Sequence, residues 1–171
     1  KGKTFLYSGH SSSKMRADKT SLIVETIGAL DELNSFLGIC ASFSEKRLDK
    51  ISIKNIQSNL FRIGSILAGA NLSFSKAKTK VLEKSIDRLE GKLPVLANFV
   101  LPGGTLFAAH IHFARAITRR MERILFRLSK KDKVKSQILS YINRLSDFLF
   151  MLARQANHQS LIKEEIWNAK K

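Results

Sequence analysis

One cysteine, two prolines, one tryptophan and nine glycines among 171 residues rule out several ways of building a protein. The lone Cys40 permits no disulfide within the chain. Set between apolar neighbours in a helical pattern, it reads as a core residue of a protein kept in a reducing compartment, cytoplasmic or, in a eukaryote, the mitochondrial matrix. No apolar run approaches the ~20 residues that span a membrane, and no signal peptide is visible. With only Pro94, Pro102 and few glycines, the chain has few places to turn, which favours long helices over a many-stranded sandwich. Strand alternation of useful length and internal repeats are both missing. Histidine is sparse too. His110 and His112 would point to nearly opposite sides of a helix, and His10 and His158 are remote, so no metal-ligand set is assigned. No Ser-His-Asp arrangement can be read from spacing, and His112 is expected to be buried and hydrogen-bonded within the fold.

Acidic residues are outnumbered, 14 against 30 Lys+Arg, for a formal net charge of +16. Nucleic acid, a membrane surface or a phosphorylated small molecule are the partners such a balance raises. Many lysines (Lys76, Lys78, Lys80, Lys130, Lys131, Lys133, Lys135) sit in connecting segments, where solvation explains them. There is no helix-turn-helix pattern and no aromatic stacking platform, so nucleic-acid binding ranks last among these partners.

A hydrophobic share of 44% with 26% charged residues is globular, and the length suits one domain with a real core. Apolar periodicity predicts five helices, at about 22–43, 51–68, 80–90, 105–129 and 134–159. The expected architecture is all-α, an antiparallel five-helix bundle over 22–171, preceded by a polar, irregular segment over 1–21. In the first helix Gly28, Asp31, Ser35 and Gly38 form a face of mostly small residues, open to close approach by a second helix. Gly2-Lys3-Thr4 looks like the end of a phosphate-binding loop, without the strand–loop–helix context a P-loop needs. Gly9 to Lys14 reads either as a phosphate cradle or as a flexible loop.

Two late helices carry polar stripes. His112, Arg115, Arg119, Glu122 and Arg123 lie largely on one face of the fourth, with Phe113, Ile117, Met121, Ile124 and Leu128 opposite. Asn143, Ser146, Asp147, Arg154 and Asn157 do the same on the fifth, against Ile138, Leu145, Leu149 and Leu152. Arg119 and Glu122 have the spacing of a helical ion pair. Arg115, Arg119, Arg120 and Arg123 exceed what one glutamate balances, so they call for a carboxylate from another helix or for a polyphosphate.

Four segments in order carry a resemblance: Gly28-Ala29-Leu30-Asp31-Glu32-Leu33-Asn34-Ser35, Leu101-Pro102-Gly103-Gly104, Arg115 to Arg123, and Tyr141 to Asp147. Together they resemble the PduO-type ATP:cob(I)alamin adenosyltransferases. The resemblance implies a five-helix bundle assembled as a homotrimer with active sites between subunits. It implies transfer of the 5′-deoxyadenosyl group of ATP, with Mg²⁺, to cob(I)alamin, releasing triphosphate. It further implies an Asp31–Arg115 ion pair across the interface, and contacts from Arg119, Glu122 and Asn143 to the nucleotide or its metal. Gly2, Thr4 and Lys19 would lie at the nucleotide, Lys19 reaching its phosphates. Phe99 would exclude the lower axial ligand of the corrinoid. A reductase and a cobalamin-dependent acceptor enzyme are the implied protein partners. Of the family's N-terminal nucleotide loop only Gly2-Lys3-Thr4 is present, and Ile23 and Ile27 stand where an arginine and a tyrosine are usual. The alternatives are a non-catalytic ATP- or corrinoid-binding paralogue of the same fold and, third, a basic nucleic-acid binder.

Overall fold

The computed structural model describes residues 3–6, 15–18, 20–96 and 98–167. Gly2, Lys19 and the Gly9–Lys14 segment lie outside them. Five helices follow one another: α1 (Leu22–Phe43), α2 (Arg47–Leu67), α3 (Ala77–Glu90), α4 (Leu106–Ser129) and α5 (Ser136–Gln159). Consecutive helices alternate in direction. Glu25 of α1 thus meets Arg127 of α4 at one end of the bundle, while Phe36 meets Phe113 farther along. α4 packs between α1 and α5, α2 covers α1, and α3 covers α5.

Each helix owes its place to an apolar stripe at three- and four-residue spacing. Leu30, Leu33, Leu37 and Cys40 of α1 are buried, as are Ile53, Ile56, Leu60 and Ile63 of α2, and Ile138, Leu145, Leu149 and Leu152 of α5. Burial pushes the Cys40 thiol up to about 12, so it stays an inert core thiol. On α4 the division of faces departs from the expected one. Ile117, Met121 and Leu128 point inward, but Phe113 is exposed, while His112 of the polar stripe is buried, as expected.

Two short strands, β1 (Lys3–Leu6) and β2 (Met15–Asp18), pair antiparallel ahead of α1, where an irregular segment was expected. Four-residue strands are too short to show a readable alternation in sequence. α2 and α3 each begin earlier than their apolar periodicity, because their first turns bury no apolar side chain. The 68–76 connection is not simply a solvated loop. Its Phe74 is buried and packs edge-on against Tyr141, 5.2 Å between ring centres.

The 91–105 connection is shaped by α5. Asn157, buried, donates from Nδ2 to the Gly103 carbonyl (3.0 Å) and accepts from the Thr105 N–H (2.9 Å). Thr105 in turn caps α4, its hydroxyl accepting from the Ala108 N–H. Gly104 sits at φ +100°, and a Cβ there would fall 2.1 Å from Asn157 Oδ1, so only glycine fits. α5 ends in a Schellman reversal: Ile162 N–H donates to the Asn157 carbonyl and Leu161 N–H to that of His158. The reversal puts Leu161 at φ +55° and sends residues 162–167 back along the 98–101 segment.

Candidate active site

The fourth helix brings its arginines to two cavities, and Arg119 lines both. On one side, Arg119, Arg120, Glu122, Arg123 and Arg127 of α4 join Glu25 of α1 and Ser140 and Asn143 of α5 around an open pocket of about 1010 Å³. On the other, Arg115 and Arg119 face Ser146, Asp147, Phe150 and Met151 of α5 and the loop residues Leu96, Phe99 and Val100, around about 690 Å³. The first pocket carries four arginines against two glutamates, alongside the apolar Ile124, Phe126 and Leu139. The second has an apolar wall with a charged edge.

The ion pairs decide which guanidinium groups remain available. Arg120 pairs with Glu32 and Arg127 with Glu25, both from α1. Arg115, Arg119 and Arg123 have no carboxylate partner among the described residues. The helical spacing of Arg119 and Glu122 does not yield an ion pair. Glu122 instead accepts from Asn143 Nδ2 at 2.8 Å, which joins the two polar stripes at one point. Arg115 is half-buried, its Nε unpartnered, and its guanidinium lies 5.8 Å over the Phe150 ring. Burial, and then the neighbouring Arg119 charge, lower its pKa from the ordinary arginine value. An anion entering between Arg115 and Arg119 would relieve both effects.

The α5 stripe divides. Asn143, Ser146 and Asp147 reach the cavities, Asp147 paired with Arg144. Arg154 and Asn157, which share the polar stripe in the sequence, are buried anchors. Arg154 makes a bidentate pair with Glu164 and donates to the Pro94 carbonyl, while Asn157 holds the Gly103–Thr105 backbone. His112 differs from expectation. It is buried, but neither ring nitrogen has a hydrogen-bond partner among the described residues. Burial first, then the Arg115 charge, lower its pKa, against the opposing pull of Glu164.

Asp31 and Arg115 do not meet within the chain. Asp31 is exposed on α1, in a separate 450 Å³ groove between α1 and α2 with Gly28, Phe61 and Gly64. A Cβ on Gly28 would touch nothing within 4 Å, whereas one on Gly38 would meet Gln57 of α2 at 3.4 Å. The small-residue face is therefore filled by α2 at one end and open around Asp31. Thr4 lies in β1, and Phe99, 77% exposed, stands at the mouth of the apolar-walled cavity. Sequence reading passed over Phe150. Its signal was available, four residues after Ser146 and so on the same helix face, but aromatic residues on helices are ordinarily read as core.

Fold and site define a helical-bundle protein with a cationic pocket and an aromatic-walled pocket sharing one arginine. The family model for cobalamin adenosyltransferase matches residues 1–156, and the chain belongs to that family. It is 37% identical over 171 residues to the corrinoid adenosyltransferase of Bacillus subtilis, covering 94% of this chain and 84% of that protein. Its identity to the corrinoid adenosyltransferase PduO of Citrobacter freundii is also 37%, over 93% of this chain but 48% of that protein, so it spans about half that relative's length. A phenylalanine-to-alanine variant of the PduO-type ATP:corrinoid adenosyltransferase from Lactobacillus reuteri, complexed with cobalamin and ATP, superposes with a TM-score of 0.91. It is 31% identical, with 98% of this chain and 95% of that one covered.

Proposed function

We propose that the protein transfers the 5′-deoxyadenosyl group of ATP to cob(I)alamin. The observation that carries this reading is Arg119, shared between a cationic pocket suited to a polyphosphate and an aromatic-walled pocket suited to a corrinoid. With ATP in the first and the corrinoid in the second, leaving group and nucleophile would lie on either side of one guanidinium. The cobalt(I) electron pair attacks C5′ and forms the cobalt–carbon bond. The C5′–oxygen bond breaks, and its pair leaves with triphosphate. Negative charge shifts onto that leaving group, and Arg119 and Arg123, unpaired and held on a rigid helix, stabilise it without reorganisation. No general base is required, because no proton moves at C5′.

Magnesium fits the same pocket. Among the described residues no three His, Cys, Asp or Glu side chains converge, but Mg²⁺ on ATP needs only one or two carboxylates beside the phosphate oxygens. Glu122, oriented by Asn143, supplies one. Phe99 and Phe150 would keep water from the lower face of cobalt and favour the four-coordinate state from which it is reduced to the nucleophile. Thr4, with Gly2 and Lys19 outside the described residues, would complete the nucleotide edge.

The protein assembles as a homotrimer in this reading, Asp31 of one subunit pairing with Arg115 of the next. Two opposite charges left unpaired among the described residues support it, as do the exposed Ile39, Phe43, Phe61 and Phe113 on α1, α2 and α4. Asp31→Asn should shift sedimentation toward smaller species and lower activity; unchanged assembly and rate would refute the pair. A reductase delivering the electron to cob(II)alamin and an acceptor of adenosylcobalamin are the partners implied. The decisive assay is anaerobic incubation with ATP, Mg²⁺ and chemically reduced cob(I)alamin. ATP-dependent conversion to adenosylcobalamin establishes the enzyme; binding of both substrates without product would make it a binding paralogue.

A further inference from the structure

The backbone that carries Phe99 makes no helix of its own, yet it is tied down at three places. Near its start, the Pro94 carbonyl accepts from Arg154 (2.9 Å). Near its end, Asn157 holds Gly103 and Thr105. Between them, the returning C-terminal strap pairs with it antiparallel. Leu101 N–H donates to the Glu165 carbonyl, Trp167 N–H donates to the Phe99 carbonyl, both at 2.8 Å, and Val100 bridges Ile166. The middle tie is the one at Phe99 itself, and it depends on a strap that has few other attachments. Leu161 and Lys163 are exposed, Trp167 is half-exposed, and the strap leaves α5 through a left-handed leucine.

What fixes the strap is Glu164. Its carboxylate accepts three hydrogen bonds from Arg154, at 2.9, 3.1 and 3.0 Å. Arg154 is 5% exposed, and its pair is shielded accordingly. A fork-to-fork pair of this kind sets geometry as well as energy. One guanidinium thereby holds both the Pro94 end of the segment and the strap that covers its middle.

We propose that Glu164, acting through Arg154, is a positioning residue for the Phe99 wall. It does not touch substrate; it holds the strap whose backbone bonds set where Phe99 stands. The inference rests on the proposed role of Phe99 at cobalt, so its test separates the two.

Trp167 is the sole tryptophan and reports strap docking without any ligand. In the full chain, Glu164→Ala should red-shift Trp167 emission and raise its quenching by acrylamide. With cob(II)alamin and ATP added, electron paramagnetic resonance should show a smaller fraction lacking the lower axial ligand. Adenosylation starting from cob(II)alamin should slow by about tenfold or more, the scale expected when a reacting wall is misplaced by an ångström or so. Adenosylation from pre-reduced cob(I)alamin and the KM for ATP should stay within about twofold. Glu164→Gln, which keeps the shape and one acceptor oxygen, should give intermediate values of all three readouts, and it carries the test if the alanine variant fails to fold. Wild-type Trp167 quenching in either folded variant overturns the anchoring role. Displaced Trp167 with an unchanged ligand-free fraction overturns the link to Phe99. Phe99→Ala is measured alongside: if it too leaves that fraction unchanged, the cobalt role of Phe99 and the link to it both fall, while Trp167 still decides whether Glu164 anchors the strap.

Discussion

The two ends of the α5 polar stripe carry the same kinds of side chain and are put to opposite uses. Asn143, Ser146 and Asp147 line cavities; Arg154 and Asn157, two and three turns farther along, are consumed by the backbone of the 94–105 connection and by Glu164. The same contrast divides the α4 arginines. Arg120 and Arg127 spend their charge on glutamates of α1, and Arg115, Arg119 and Arg123 do not. A guanidinium or amide becomes available to a substrate only where no other element of the fold satisfies it first. Residue type and helical phase do not decide that; the neighbour does.

The strongest way to break this contrast is at the open end. Arg119→Ala should lower kcat/KM by about 10²–10³, the cost of losing one preorganised charge at a developing anion, while leaving the melting temperature near that of the parent. A large loss of stability with intact kinetics per folded molecule would reverse the assignment of the two ends.

At the closed end, Gly104→Ala forces a Cβ into Asn157 Oδ1 and into a left-handed backbone. It should cost about 2 kcal/mol or more of stability, several degrees in melting temperature, with ATP affinity of the folded fraction preserved. A neutral variant would mean that Asn157 does not hold this turn.

Asn143→Ala sharpens the comparison, because Asn143 belongs to the open end yet makes one internal hydrogen bond, to Glu122. It should weaken Mg·ATP binding by about tenfold or somewhat more, on the scale of the ~1.5–3 kcal/mol of a bond to a charged group, and barely move the melting curve. Isothermal titration with a non-hydrolysable ATP analogue reads this directly.

The smallest effect concerns His112, between the two regions. Its pKa is lowered in the folded protein, so the unfolded chain takes up the proton more readily. The stability that neutral His112 preserves is present above its unfolded pKa, ~6.5, and is lost as pH falls below that value toward the folded pKa. Since neither nitrogen has a partner among the described residues, His112→Leu should match or exceed the parent in melting temperature at pH 7.5, with a wider margin at pH 5.5. A destabilised leucine variant at both pH values would show that the imidazole makes a bond its surroundings do not reveal.

Much of the scaffold was legible in the chain. The limits of α1 are those its periodicity predicts, and those of α4 and α5 differ by a residue or two at their starts. The starts of α2 and α3 were hidden because Arg47–Lys50 and Ala77–Thr79 lack an apolar rhythm, and β1 and β2 because four residues are too few to show one. At the site, Arg119, Glu122 and Asn143 could be singled out by type and phase. The roles of Arg154 and Asn157 could not, since their partners Pro94 and Gly103 lie 60 and 54 residues away.

By itself the sequence determined five amphipathic helices, an inert core thiol and a surplus of arginine on one helix, because each is a matter of local spacing and composition. Only the tertiary structure decided which charges stay free. Whether a guanidinium meets a carboxylate, a carbonyl or open water depends on chain segments far apart in sequence arriving at one place. Glu32 and Glu25 arrive at Arg120 and Arg127, Glu164 at Arg154, and no carboxylate of the described residues at Arg119.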